Sequence, residues 1–402
     1  MTDVLFSFMP PPAPLHVAVN TRFLLPGAHL EGIGRFSYET LSRLVAQHPE
    51  VTFHFLFDRA YDGRYLFGAN VVPHVLLPPA RHPFLFVAWF EGAVAWWLAR
   101  HRPAAFLSMD GFTTLATAVP RVTVFHDLAF EHFPLDVELL RRKYYHFFMP
   151  RFARASARVV AVSEATKADI VQTYGLAPDK ISVAYNAPAE IFRLQPEDVQ
   201  QETRRRFSQD NPYFLFVGAL QPRKNLGNLL RAFDAFKVAE GPAVAAAQLL
   251  IVGRKAWKAG PILDAYQQMQ HQAAVHFTGR VTDDELATLY AAALATVYVP
   301  YFEGFGIPIV EAQASGCPVL TSGVSSMPEV AGPDGALLVD PHDAASIAAG
   351  LARLWNDEAL RRQLVEQGRA NLSRFSWARS AEVLWEALRK AMRNEDASLN
   401  EE

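Results

Sequence analysis

Short apolar runs alternate with amphipathic stretches along nearly the whole chain, and this alternation restricts the fold more than any other feature. Such a run is too short for a buried helix and reads as a strand covered on both faces. The stretch after it must then cross back over the sheet as a helix, so the pattern predicts parallel α/β domains. Strands are expected at His16–Asn20, Thr52–Phe57, Phe106–Ser108, Arg121–Phe125, Val159–Ser163 and Ile181–Ala184. Helices are expected from about Arg35 to Gln47 and from Glu164 to Tyr174, the second capped by Ser163 and closed by Gly175. A second series of strands runs through Phe214–Val217, Gln248–Val252, Val275–Thr278, Ala295–Val299, Val319–Thr321 and Ala336–Val339.

A chain of 402 residues exceeds one ordinary core, so two doubly wound domains are expected. Between Pro188 and Pro212 the apolar periodicity fades while charge rises at Glu197, Asp198 and Arg204 to Arg206. The division is therefore residues 1–190, a linker over 191–212, a second domain over 213–376, and a C-terminal helix and tail over 377–402.

A net charge of -3 offers no basic field for phosphate backbones, which argues against nucleic acid as a partner. The single Cys317 excludes an internal disulfide and suits a reducing cytoplasm. Set in Gly-Cys-Pro before an apolar strand, it reads as a small buried hydrophobe. Residues 1–15 lack the basic start of a leader peptide, and Pro-rich Met9–Pro14 interrupts any apolar helix there. The apolar run Phe84–Ala99 carries Glu91 and Gly92 and falls short of the ~20 residues that span a bilayer, so it reads as a buried or interfacial helix.

Parallel domains place ligands in loops after the strands, and the unusual residues cluster there. Glu303 and Glu311 bracket a glycine turn, Gly304-Phe-Gly306, between a strand and a helix. A helix start leaves free N–H groups with a positive dipole end behind them, which holds an anion or a polyhydroxyl ligand. An ordinary strand-to-helix loop accounts for the same residues. After the first strand of the second series, Arg223 and Lys224 precede a helix start near Asn225 or Leu226. Helix starts disfavour cations, so two placed there make sense with a diphosphate as partner. A solvated loop pair is the alternative. At Thr278–Leu286, Thr282 or Asp283 caps a helix; a flat heterocycle against the backbone of Arg280 and Val281 is the second reading.

In the first half, Phe125-His126-Asp127 ends a strand, Glu31-Gly-Ile-Gly34 precedes a helix, and Ser108-Met-Asp110-Gly111 follows another strand. Packing, capping and an Asp-Gly turn explain these three as well as ligand binding does. No dinucleotide fingerprint, Walker loop, His-Glu-x-x-His or Gly-x-Ser-x-Gly is present. An Asp-x-Asp pair for a metal-bound diphosphate is also missing, so protein cations rather than a metal would neutralise one.

The ordered set Gly218…Arg223-Lys224-Asn225, Gly279-x-Val281…Glu285-Leu286, Glu303-x7-Glu311 and Pro328-Glu-Val-Ala-Gly332 resembles the retaining family 4 glycosyltransferases. Glu31-Gly-Ile-Gly34, His126-Asp127, Val162-Ser163-Glu164 with Thr166-Lys167, and Tyr185-Asn186 extend the resemblance over the first half. Asn186-Ala187 departs from the Asn-Gly common in the family. The set is most similar to bacterial mannosyltransferases that build surface polysaccharides.

The resemblance implies an α/β GT-B fold, two Rossmann-like domains facing across a cleft, with the C-terminal helix crossing back to the first. It implies that Arg223 and Lys224 bind the donor diphosphate and that Glu303 holds the donor sugar. The N–H groups of Phe305, Gly306 and Ile307 would meet sugar and phosphate, and Glu311 the ribose. Arg280 and Val281 would face the base, with Gly218 beside the donor, Gly34 bordering its phosphates and His126 near the anomeric carbon. Asp110 and Asp127 would stand on the acceptor side. The implied partners are a nucleoside diphosphate sugar, GDP-mannose before a UDP-sugar, and a glycan or lipid-linked acceptor; no cofactor or metal is implied. A GT-B sugar-nucleotide epimerase and a non-catalytic sensor of nucleotide sugars are the rival readings. Arg141–Arg154 mixes cations with aromatics, which suits either an anionic surface at the inner membrane face or a helix with a solvated basic side.

Overall fold

The computed structural model describes residues 15–25, 27, 30, 32–254 and 260–393. Two parallel sheets carry the fold. The first contains β1 (Leu15–Asn20), β2 (Val51–Phe57), β3 (Val71–Val75), β4 (Ala105–Ser108), β5 (Arg121–Phe125), β6 (Arg158–Ala161) and β7 (Ile181–Val183), in the order β3-β2-β1-β4-β5-β6-β7. The second contains β8 (Tyr213–Val217), β9 (Gln248–Val252), β10 (Val275–Gly279), β11 (Ala295–Tyr298), β12 (Val319–Ser322) and β13 (Leu337–Val339), in the order β10-β9-β8-β11-β12-β13. Each sheet grows outward from its first strand, reverses, and grows the other way, which is the Rossmann order. Val17, Val19, Phe53 and Phe106 are fully buried in one sheet, and Leu215, Leu250, Val297 and Leu320 in the other. Apolar runs covered on both faces produce such strands.

The chain packs as two compact units. One holds the described residues of Met1–Val124, Arg151–Val159 and Leu384–Glu402; the other holds Phe125–Pro150 and Val160–Val383. In the first, Trp385 stacks on His48 with ring centroids 3.8 Å apart. In the second, Ser380 donates to the carbonyl of Tyr185.

Two elements differ from the sequence reading. β3 was not expected, because Val71-Val-Pro-His-Val75 contains a proline. It is an edge strand paired with β2 alone, where a missing N–H is tolerated. Residues 191–212, expected as a linker, contain the helix Glu197–Ser208. That helix buries only Thr203 and Ser208 and is anchored by polar contacts: Arg206 to Glu285 at 2.6 Å, and Arg204 to the carbonyl of Ala292 at 3.5 Å. An apolar pattern could not announce it.

Phe84–Ala99 forms the helix Pro83–Val87, a π-helical segment Ala88–Val94 and the helix Ala95–His101. Trp89 and Phe90 are buried there, while Phe84 and Trp96 are exposed. Among the described residues no helix is long and apolar enough to cross a membrane.

Candidate functional site

The second sheet reverses direction between β8 and β11, and the loops leaving these neighbouring strands carry the candidate residues. Ligands of open parallel sheets bind at such a switch point. After β8, Pro222–Lys224 makes a single 3-10 turn, and Asn225 enters the left-handed region with φ 62° to start the helix Leu226–Glu240. The Asn225 side chain holds that corner by donating to the carbonyls of Val299 at 2.9 Å and Pro341 at 2.7 Å. The Tyr301 N–H reaches the carbonyl of Arg223 at 3.0 Å, which ties the two loops together.

Arg223 and Lys224 converge on one carboxylate oxygen. The Arg223 Nη1 bonds Glu303 Oε1 and also the carbonyl of Phe302 at 3.0 Å. The Lys224 Nζ lies 2.5 Å from the same Oε1 and donates to the Tyr298 hydroxyl at 2.5 Å. Burial opposes charge on Arg223, but Glu303, Asp127 and Tyr298 together outweigh it and raise the guanidinium pKa. For Lys224 burial prevails over Glu303, and its pKa falls below that of an ordinary lysine. Burial likewise acts against the Glu303 carboxylate, yet Arg223 and Lys224 together bring it below the usual range. Two cations therefore stand side by side on one carboxylate oxygen.

The glycine turn adjoins this cluster. A Cβ at Gly304 would stand 1.6 Å from the carbonyl oxygen of His126, so only glycine fits, and Gly306 takes φ 96°. The carbonyls of this turn are all engaged. Phe302 accepts from Arg223, Glu303 from Ser325 and Ser326 at 2.8 Å each, Phe305 from Ser326 at 3.0 Å, and Gly306 from the Ile309 N–H at 3.0 Å. Gly304 accepts from Ser163 at 2.5 Å. Among the described residues, no hydrogen bond engages the N–H groups of Gly304, Phe305, Gly306 or Ile307. Those donors open the helix Ile307–Ala314. Unbonded N–H groups beside cations are the donors an anion would need.

Glu311, on that helix, is buried and accepts from the Tyr290 hydroxyl at 3.0 Å. Gly218 has φ 155°, and a Cβ on Gly253 would come within 1.9 Å of its carbonyl, so the loops after β8 and β9 meet glycine to glycine. Arg280 and Val281 follow β10 at the edge of the same sheet, two strands from β8, before a helix that Thr282 and Glu285 cap reciprocally.

The first-half candidates divide. His126 is half-buried, and its backbone abuts Gly304. Asp127 accepts from the Ala129 N–H at 3.0 Å just before the short helix Ala129–His132, and its charge favours those of Arg223 and Lys224. Asp110 lies in the other unit, buried in an ion pair with Arg22 and accepting from Asn20 at 2.9 Å. Four phenyl rings, Phe23, Phe86, Phe90 and Phe112, surround that guanidinium at 4.5–5.5 Å. Asp110 is thus engaged by Arg22 and Asn20. Gly34 is buried in the first turn of the helix Ile33–Gln47, where a Cβ would meet the Phe23 carbonyl at 3.1 Å; Glu31 lies outside the described residues.

Sequence reasoning missed Tyr298, Ser325 and Ser326. Tyr298 carried a signal, since a tyrosine inside a buried strand needs a partner for its hydroxyl. The serines carried none, because what they bind lies 21–23 residues away.

A family model described as glycosyl transferases group 1 matches residues 199–371, and one described as glycosyltransferase family 4 matches residues 30–187. The chain is 28% identical to O-antigen chain mannosyltransferase B of Escherichia coli over 261 residues, 64% of this chain and 66% of that protein. It is 27% identical over 263 residues to the serotype-specific mannosyltransferase WbdA of the same organism, 63% of this chain and 31% of that one. The matched lengths are under two thirds of these relatives. HepE of Anabaena, solved in complex with UDP-glucose, shares the fold with a TM-score of 0.71 at 16% identity, covering 94% of this chain and 100% of that one. With both sheets in Rossmann order and both halves matched, the chain belongs to glycosyltransferase family 4, the group 1 glycosyltransferases of the GT-B fold.

Proposed function

We propose that the chain moves mannose from GDP-mannose to a glycan or lipid-linked acceptor in surface polysaccharide biosynthesis, with retention at the anomeric carbon. The observation that carries this reading is the convergence of Arg223 and Lys224 on Glu303 beside the unbonded N–H groups of 304–307. A leaving nucleoside diphosphate gains negative charge as the glycosidic bond breaks, and these donors are already in place to receive it. Protein cations then do what a metal would otherwise do, and no cofactor is required. Glu303 keeps the two cations together and offers an acceptor to sugar hydroxyls; Glu311 meets the ribose, Arg280 and Val281 the base, and His126 the reacting carbon. Two mannosyltransferase relatives, one of them an O-antigen chain mannosyltransferase, support mannose and surface polysaccharide. HepE, solved with UDP-glucose, supports a UDP-sugar as the second reading.

Removing one preorganised donor costs about 2.7–4 kcal/mol of barrier. Arg223→Ala and Lys224→Ala should therefore each lower kcat at least about a hundredfold while the far-ultraviolet circular dichroism is kept. The assay offers GDP-mannose and UDP-sugars with an acceptor extract and reads the product anomer by NMR. Wild-type turnover in either variant sinks the assignment, and an inverted product sinks retention. A rearranged sugar nucleotide made without acceptor points to the epimerase.

For location we propose a cytoplasmic enzyme resting on the inner membrane face. Its support is the helix Leu139–Ala155, which exposes Leu139, Leu140 and Phe147 together with Lys143. Apolar side chains beside a cation suit an anionic interface. Co-sedimentation with phosphatidylglycerol vesicles, but not with neutral ones, is expected, and Leu139→Glu should abolish it. Equal recovery with both vesicle types rejects the idea.

A further inference from the structure

The N-terminus of the helix Glu164–Tyr174 has no role in the reading above, yet its hydrogen bonds end on the glycine turn. The first N–H groups of a helix have no partner within the helix. Here Ser163, in extended conformation, accepts from the Thr166 N–H at 3.0 Å. The N–H groups of Glu164 and Ala165 donate to the two oxygens of Glu329 at 2.8 and 2.9 Å. Glu329 stands on the short helix Met327–Ala331 directly after Ser325 and Ser326. With the backbone satisfied in this way, the hydroxyls of Ser163 and Thr166 both donate to the Gly304 carbonyl, at 2.5 and 3.1 Å. Both residues are almost wholly buried, at 0% and 3% exposure, so water does not compete for those bonds.

A trans peptide is planar, with its C=O and N–H pointing in opposite directions. Fixing the Gly304 carbonyl therefore fixes the direction of the Phe305 N–H. The neighbouring planes are set in the same way, since Ser325 and Ser326 hold the Glu303 carbonyl and Ser326 holds that of Phe305. Only the Gly304 plane is aimed from the Glu164–Tyr174 helix.

We propose that Ser163 and Thr166, seated by Glu329, are positioning residues that aim the Phe305 N–H at the diphosphate of the donor. This rests on the donor-site reading given above. Its test is binding of GDP and UDP to the full chain by calorimetry, with melting temperature measured in parallel. The double variant Ser163→Ala/Thr166→Val should bind the preferred diphosphate about tenfold more weakly or worse. The pair Ser163→Thr/Thr166→Ser keeps both hydroxyls and should restore affinity to within about threefold, which a mere loss of packing does not predict. A folded double variant that binds as tightly as the wild type overturns the proposal. Should the double variant not fold, Thr166→Val alone, which removes one donor at nearly constant volume, should weaken binding about threefold; unchanged affinity overturns the proposal equally. If the wild type binds neither GDP nor UDP, the donor-site reading itself fails, an outcome distinct from a wild type that binds and a variant that matches it.

Discussion

At the scale of single residues, Gly304 is the least replaceable position of the site. The smallest side chain would overlap the His126 carbonyl, so one of the two backbones must move. Gly304→Ala should remove transferase activity and lower the melting temperature, whereas Gly227→Ala, whose Cβ would meet only an Arg231 side-chain nitrogen at 3.8 Å, should change neither. Equal activity in the two variants rejects the close approach. Arg223 and Lys224 stood out in the sequence because cations beside a helix start contradict the dipole unless an anion joins them, and Glu303 because it brackets a glycine turn. That both cations meet Glu303 was not legible, since a contact across 79–80 residues leaves no mark in local spacing. Asp110 shows the same. Its Asp-Gly reads equally as a turn or as a ligand group, and the buried pairing with Arg22 leaves no mark in the local sequence.

Among the elements, three neighbouring strands share a line of imidazoles. His54 Nε2 lies 3.0 Å from His16 Nδ1, and His54 Nδ1 lies 3.0 Å from His74 Nε2. Trp97 packs against His54 and His74, and His101 stacks on Trp97 near His74. Such a line needs neutral rings, each giving one proton and taking another. Burial, then the charges of His74 and His16, pulls the His54 pKa down to about 4. A free histidine titrates near ~6.5, so the unfolded chain binds more protons between these values. Stability from this group is complete above that ordinary value and falls as pH drops toward 4. The melting temperature should thus decline between pH 7 and pH 5, and His54→Gln should flatten the decline; equal slopes reject the idea. Most strands were predictable because burial on both faces leaves a continuous apolar run. β3 and the Glu197–Ser208 helix escaped because neither carries the apolar pattern: a proline, tolerated at a sheet edge, interrupts the one, and the other buries only Thr203 and Ser208.

For the whole molecule, the two Rossmann orders follow from the βα alternation together with a chain too long for one core. The compact units were less legible, because each gathers segments distant in sequence and the C-terminal helix is divided between them at Leu384. Contact, unlike periodicity, is not a local property of a sequence. Cys317 has a practical consequence at this scale. Its thiol is buried and pushed up to about 12, so almost no thiolate exists at neutral pH. A maleimide dye should leave the folded protein unlabelled and attach one equivalent per chain in denaturant; rapid labelling of the native state contradicts this. The natural sequence then serves as its own dark background for fluorescence work. A cysteine placed at exposed Ala60 in one unit or Ala359 in the other would carry the only dye, with no native residue to remove first.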